Sequence, residues 1–141
     1  MADHPLFPVS VVTPEGAAFE GDAEMLIVPG QSGEIGVLAR HAPLIATLRA
    51  GATRIHLGEG TDVLEFATGP GFFQVLNDRA IALVDDAVAA SDIDDARAQA
   101  QLDAARAELD AIERGESTAD RWQVEQRIRH AENQLTVAGR G

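Results

Sequence analysis

The sequence predicts an α+β chain: an N-terminal antiparallel β-sandwich of about eight to ten short strands, followed by a C-terminal antiparallel two-helix hairpin. Three observations lead there. Residues 6–86 are short apolar runs punctuated by Gly, Pro, Asn and Asp. From Ser91 the apolar period becomes helical and turn residues vanish for about two dozen positions. A single break, Gly115-Glu116-Ser117, then divides the helical stretch in two. The change of texture falls between residues 86 and 90, so the expected units are residues 1–87 and 88–141.

The strands are read in order. Residues 7–12 end at Thr13-Pro14-Glu15-Gly16, residues 18–21 form a short piece, and residues 24–28 enter a glycine-rich corner. Residues 43–48 leave that corner. Residues 53–57 and 62–67 form a hairpin about a turn at Gly58-Glu59-Gly60. Thr68-Gly69-Pro70-Gly71 turns into residues 72–76, and Asn77-Asp78 makes a tight connection to residues 79–84. Alternation at Ile55/Leu57, Leu64/Phe66, Phe73/Val75 and Ile81/Leu83 is the pattern of strands that bury one apolar face against a second sheet. With 4% aromatics and no Tyr, the core must be aliphatic, with Phe19, Phe66, Phe72 and Phe73 as its larger fillers.

In the corner, Gly30, Gly33 and Gly36 recur every third residue, at positions suited to positive φ or close backbone approach. A phosphate cradle would need a helix opening directly after the glycines. Here Val37-Leu38 and a His-Ala-Pro turn follow, which favours a structural corner.

For the first helix, Ser91 with Asp94 three residues on reads as a capping box, and Gly115 as the stop. Leu102, Ala105, Leu109 and Ile112 form one stripe, and Ala96, Ala100, Ala104, Ala107 and Ala111 another that would let helix axes approach closely. Ser117 or Thr118 is the expected cap of the second helix, whose stripe is Val124, Ile128, Ala131, Leu135 and Ala138. Alanine buries little apolar area, so such a hairpin should be marginal unless docked.

Composition narrows the function. A net charge of −12 with no Lys disfavours nucleic acid and anionic lipid. Zero cysteines remove disulfides and thiolate chemistry. No window approaches the ~18 apolar residues of a spanning helix, and the first residues resemble neither a secretory signal nor a transit peptide, so a cytosolic position without direct membrane insertion is expected. His4, His41, His56 and His130 are scattered, with no metal-ligand spacing. No serine sits in a nucleophile elbow, and Asp85-Asp86 reads as turn solvation before acid–base chemistry. No catalytic or metal constellation emerges.

The run Pro29-Gly30-x-x-Gly33-Glu34-Ile35-Gly36-Val37-Leu38-x-x-His41-Ala42-Pro43-Leu44 resembles the corresponding stretch of ATP synthase epsilon chains, whose mitochondrial counterpart is called delta. A second match runs from Leu83-Val84-Asp85-Asp86-Ala87 to Ile93-Asp94-Asp95-Ala96-Arg97-Ala98. The resemblance implies a non-catalytic central-stalk subunit on the cytoplasmic face of the bacterial inner membrane. It would link the gamma chain to the membrane c-ring, couple proton flow to ATP synthesis, and touch the alpha/beta head through the C-terminal helices. It also implies that Glu34 faces the c-ring, that His41 lies near the gamma contact, and that the strand from Leu44 extends away from it. Some relatives hold ATP at an I-D-x-x-R-A motif, present as Ile93, Asp94, Arg97 and Ala98, with Arg121, Arg127 and Arg129 as candidate helpers. Asp92 and Asp95 oppose a polyphosphate there, so no cofactor beyond a weakly held ATP is expected. The acidic hairpin argues for weak or no braking of hydrolysis. The competing readings are a free-standing β-sandwich adaptor or ligand-binding module with a helical dimerisation tail, and a small metal-dependent β-barrel enzyme.

Overall fold

A computed structural model describes residues 5–58 and 62–140. Its strands are β1 (Phe7–Thr13), β2 (Gly16–Ala23), β3 (Met25–Gly30), β4 (Gly33–Leu38), β5 (Leu44–Leu48), β6 (Gly51–His56), β7 (Val63–Thr68), β8 (Gly71–Leu76), β9 (Arg79–Val84) and β10 (Ala87–Ala89). A short 3-10 turn (Ala90–Asp92) leads to helices α1 (Asp95–Glu113) and α2 (Arg121–Arg140). Glu59 and Gly60, where a turn is expected, lie outside the described residues.

The hydrogen-bonded path β10-β7-β6-β3-β5-β8-β9-β1-β2, with β4 on β3, folds into two layers. β10-β7-β6-β3-β4 form one and β5-β8-β9-β1-β2 the other, meeting where Gly30 of β3 stands opposite Leu48 of β5. Gln31 N–H donating to Thr47 O (3.0 Å) and Arg49 N–H to Pro29 O (2.9 Å) close that corner. Pairing is antiparallel except between β1 and β9, which run parallel. Between the layers lie Val9, Val11, Leu26, Val28, Val37, Leu48, Ile55, Phe66, Phe73 and Val75. Thr53 and Thr68, both buried, satisfy each other through a hydroxyl–hydroxyl bond of 2.8 Å.

The glycine corner is a β3–β4 hairpin turning at Gln31-Ser32. Gly33 has φ +140°, and a Cβ on Gly30 would come within 2.7 Å of Gly33 O. Gly36 needs neither freedom: its φ is not positive and the space beside it is open. At the β8–β9 turn, Asn77 (φ 53°) and Asp78 (φ 62°) both take the left-handed region, as the tight hairpin turn demands.

Several expectations are corrected. Phe72 is not a core filler but 61% exposed, because Phe73 and Val75 point inward and adjacent strand residues must point apart. In β9 the small residues Ala80 and Ala82 face the core, leaving Leu83 exposed and Ile81 half-buried. Asp94, not Ser91, caps α1: its carboxylate accepts Arg97 N–H at 3.1 Å, while Ser91 lies in the preceding 3-10 turn. Asp120 caps α2 by accepting Trp122 N–H at 2.9 Å, ahead of Ser117 and Thr118. Of the alanine stripe, Ala96, Ala100, Ala104 and Ala107 are exposed; the helix buries Ala98, Leu102 and Ala105 instead. Gly115, at φ +76°, follows the end of α1 as expected.

Candidate functional site

An apolar departure from a water-facing surface lies on the outer side of β5, β8 and β9. Phe72 of β8 pairs with Thr47 of β5 and with Leu83 of β9, and Leu83 pairs with Val12 of β1. The next row runs Ile45, Gln74, Ile81 and Ser10. Ile45 is 78% exposed and Leu83 52%, so three large apolar side chains share one face in water. They line a shallow depression of about 200 Å³ with Gln74 and Ile81. A contiguous apolar patch of this kind marks a contact surface.

His41 and Leu44 stand at the entry to this sheet. The loop before them is pinned across the layer, because Arg40 N–H donates to the Asp78 carboxylate at the β8–β9 turn. His41 Nδ1 lies 2.7 Å from Ala42 O, and Leu44 pairs with Val75 at the start of β5. Glu34 lies elsewhere, on the outer side of the other layer. Arg54 Nη2 donates to both its carboxylate oxygens, at 3.0 and 3.2 Å, while Arg54 Nη1 lies 3.8 Å from Glu65. The structure therefore separates Glu34 from His41 and Leu44 by layer. Sequence reasoning missed Arg54, although its place opposite Glu65 across β6 and β7 follows from hairpin register.

Ile93, Asp94, Arg97 and Ala98 gather where the chain leaves β10. Ala98 is buried, Ile93 packs beside Val137, and the Asp94 carboxylate is committed to the helix cap. Arg97 forms no ion pair among the described residues. A cleft of about 290 Å³ beside it is lined by Asp86, Asp92 and Asp94 as well as Arg97, with Gln101 and Gln134. Of the candidate helpers, Arg127 lines the adjoining cleft, Arg121 is paired with Glu113 and Glu125, and Arg129 bonds Gln126. Burial raises the Asp86 pKa above the ordinary carboxylate value; His130 opposes that rise, and Asp85 and Glu15 add to it. Among the described residues no group of three or more His, Asp or Glu is placed to hold a metal ion.

The hairpin is docked. Val137, 1% exposed, packs on Ala52 and Ala67. Asn133 Nδ2 donates to Gly51 O at 3.1 Å and Thr68 O at 3.0 Å, two carbonyls on directly paired residues of β6 and β7. His130 Nε2 lies 3.3 Å from Asp85 Oδ2. None of these docking side chains lies on the apolar stripe read from the sequence. The signal was there in Gln126, His130, Asn133 and Val137, which recur at helical spacing on a second face of α2.

A sandwich with an exposed apolar face, carrying a helical hairpin laid on one layer, defines a docking subunit of a larger assembly. The β-sandwich domain of the ATP synthase delta/epsilon chain matches residues 6–90. The chain is 38% identical over 136 residues to the ATP synthase epsilon chain of Halalkalibacterium halodurans, covering 96% of this chain and 99% of that one. It is 45% identical over 85 residues to the epsilon chain of Anoxybacillus flavithermus, covering 60% and 62% of the two. A chain of the Euglena gracilis mitochondrial ATP synthase shares the fold with a TM-score of 0.74 at 20% identity, over 99% of this chain and 85% of that one. A chain from the central stalk and c-ring of the Tetrahymena thermophila mitochondrial enzyme does so with a TM-score of 0.58 at 13% identity, over 97% and 99%. The chain belongs to the ATP synthase delta/epsilon chain family. That assignment favours the stalk-subunit reading over the free-standing adaptor.

Proposed function

We propose that this chain is the rotor subunit of the central stalk, without catalytic chemistry of its own, peripheral on the cytoplasmic face of a bacterial inner membrane. It couples proton flow to ATP synthesis by being held between the gamma chain and the c-ring. The observation that carries this is the apolar face of Ile45, Phe72 and Leu83, which costs solubility unless a partner covers it. Gamma is the partner assigned to that face, with His41 at its border and Leu44 supporting it from the core side of β5. The Glu34 corner, on the opposite layer, is then free to face the c-ring, and Arg54 holds its carboxylate in place. Among the described residues no helix is long and apolar enough to cross a membrane, which suits attachment through the complex.

Ile93, Asp94, Arg97 and Ala98 hold ATP weakly if at all, since three carboxylates flank the one guanidinium of their cleft. Residues from 92 onward carry more acids than arginines, and this argues for at most weak braking of hydrolysis by contact with the alpha/beta head. Co-purification tests the main reading: gamma should come down with the wild-type chain and not with Phe72→Asp/Leu83→Asp. Retention of gamma by that variant would refute the assignment. Removing residues 91–141 leaves β10 in place, and ATPase activity of the assembled enzyme should then change little.

A further inference from the structure

The seam between hairpin and sandwich contains a built ionic seat. Four side chains of α2, namely Gln126, His130, Asn133 and Val137, face the sandwich, and two of them converge on Asp85. Asp85 Oδ2 receives Gln126 Nε2 at 3.5 Å and His130 Nε2 at 3.3 Å. The carboxylate can lie there only because residue 69 is glycine: a Cβ on Gly69 would sit 1.7 Å from Asp85 Oδ1 and 3.1 Å from His130 Nε2. Backbone bonds fix both walls, with Gly69 N–H donating to Asp86 O (2.9 Å) and Asp85 N–H to Pro70 O (3.1 Å).

We propose that His130 on Asp85 is a proton-operated latch, in which the imidazolium clamps the hairpin to the sandwich and loss of its proton lets the hairpin leave. The apolar part of the dock is small, resting on Ala52, Ala67 and Val137, so one charge-assisted bond weighs heavily in the balance. The charged groups around His130 favour added positive charge. The β1–β2 turn presents Glu15, the β9–β10 link presents Asp85 and Asp86, and α2 itself presents Arg127; from α1 come only Gln101, Ala104 and Ala105. Asp86 works in the same direction, because the docked hairpin helps to bury it and its ionised form is the one burial penalises. The inference rests on the docked hairpin and is independent of the partner assignments above.

The chain has no cysteine, so a spin-label pair on Glu20→Cys and Ala119→Cys reports hairpin position in the full chain by double electron–electron resonance. From pH 5.5 to 8 the docked fraction should fall by about threefold or more. His130→Gln keeps a donor without the charge and should remove most of that pH dependence, as should Asp85→Asn, leaving only the share that Asp86 sets. Circular dichroism at both pH values confirms that each variant is folded. A wild-type docked fraction that ignores pH, or a pH dependence that persists undiminished in both variants, would overturn the latch.

Discussion

Phe72 and Leu83 stand directly opposite each other across β8 and β9, both turned away from a core that their immediate neighbours Phe73 and Val84 enter. The contrast separates what folds the chain from what it presents. Replacing Phe72 and Leu83 with Ser should change the stability of the isolated chain by no more than about 0.5 kcal/mol each, whereas Phe73→Ala should cost about 3–5 kcal/mol. Denaturant midpoints measure both. A large loss from the outer pair would mean that it supports the fold.

Asn133 holds the hairpin by bonding two strand carbonyls at once. Asn133→Ala leaves both without that donor, a loss of about 1–3 kcal/mol in docking. Amide exchange should quicken in the second half of α2 while the sandwich core stays protected. Unchanged exchange would make Asn133 a bystander.

The two candidate caps of α1 can be told apart by substitution. Asp94→Ala should lower helix stability by about 1 kcal/mol, because it leaves the Arg97 amide unpaired, and Ser91→Ala should be silent. Thermal melts followed at the helical circular dichroism band decide between them.

Asp86 sets a pH dependence whose sign is fixed by its burial. Its folded-state pKa lies above the unfolded value, so its contribution is intact below about pH 4 and is lost as pH rises through the raised value. Asp86→Asn should therefore raise the Tm at pH 7 and leave it unchanged at about pH 3.5. Equal Tm values at both pH would show that burial does not penalise the carboxylate.

The comparison of Phe72 with Phe73 also shows where sequence reasoning stops. A period of two separates the faces of a strand but does not say which one is inward when both carry apolar residues. β9 reads Ala80-Ile81-Ala82-Leu83-Val84, and size favours the wrong face. What decides is packing against the partner layer, where Ala80 and Ala82 are fully buried beside Val75 and Phe73. Most strands, both helices and their turns were legible because Gly, Pro and Asn-Asp carry local backbone preferences, whereas β10, read as the boundary between units, is a strand only through its pairing with β7. Arg54 against Glu34, and Asp85 against His130, were not, since each joins segments that only tertiary packing brings together. The cap of α1 failed for a local reason: Ser91 and Asp94 both satisfy the capping pattern, and the 3-10 turn between them consumes the first.

β1 lies between β2 and β9, parallel to the latter, and that placement governs the order of assembly. Emerging from the ribosome, the first strand can form its hairpin with β2 at once but must wait for residue 80 and beyond before its other edge is covered. The second layer is thus completed only once β9 has emerged, by a contact between distant parts of the chain, and closure of the sandwich should be slow relative to its hairpins. Until then the open edge of the first strand is the segment that nascent-chain chaperones have reason to shield.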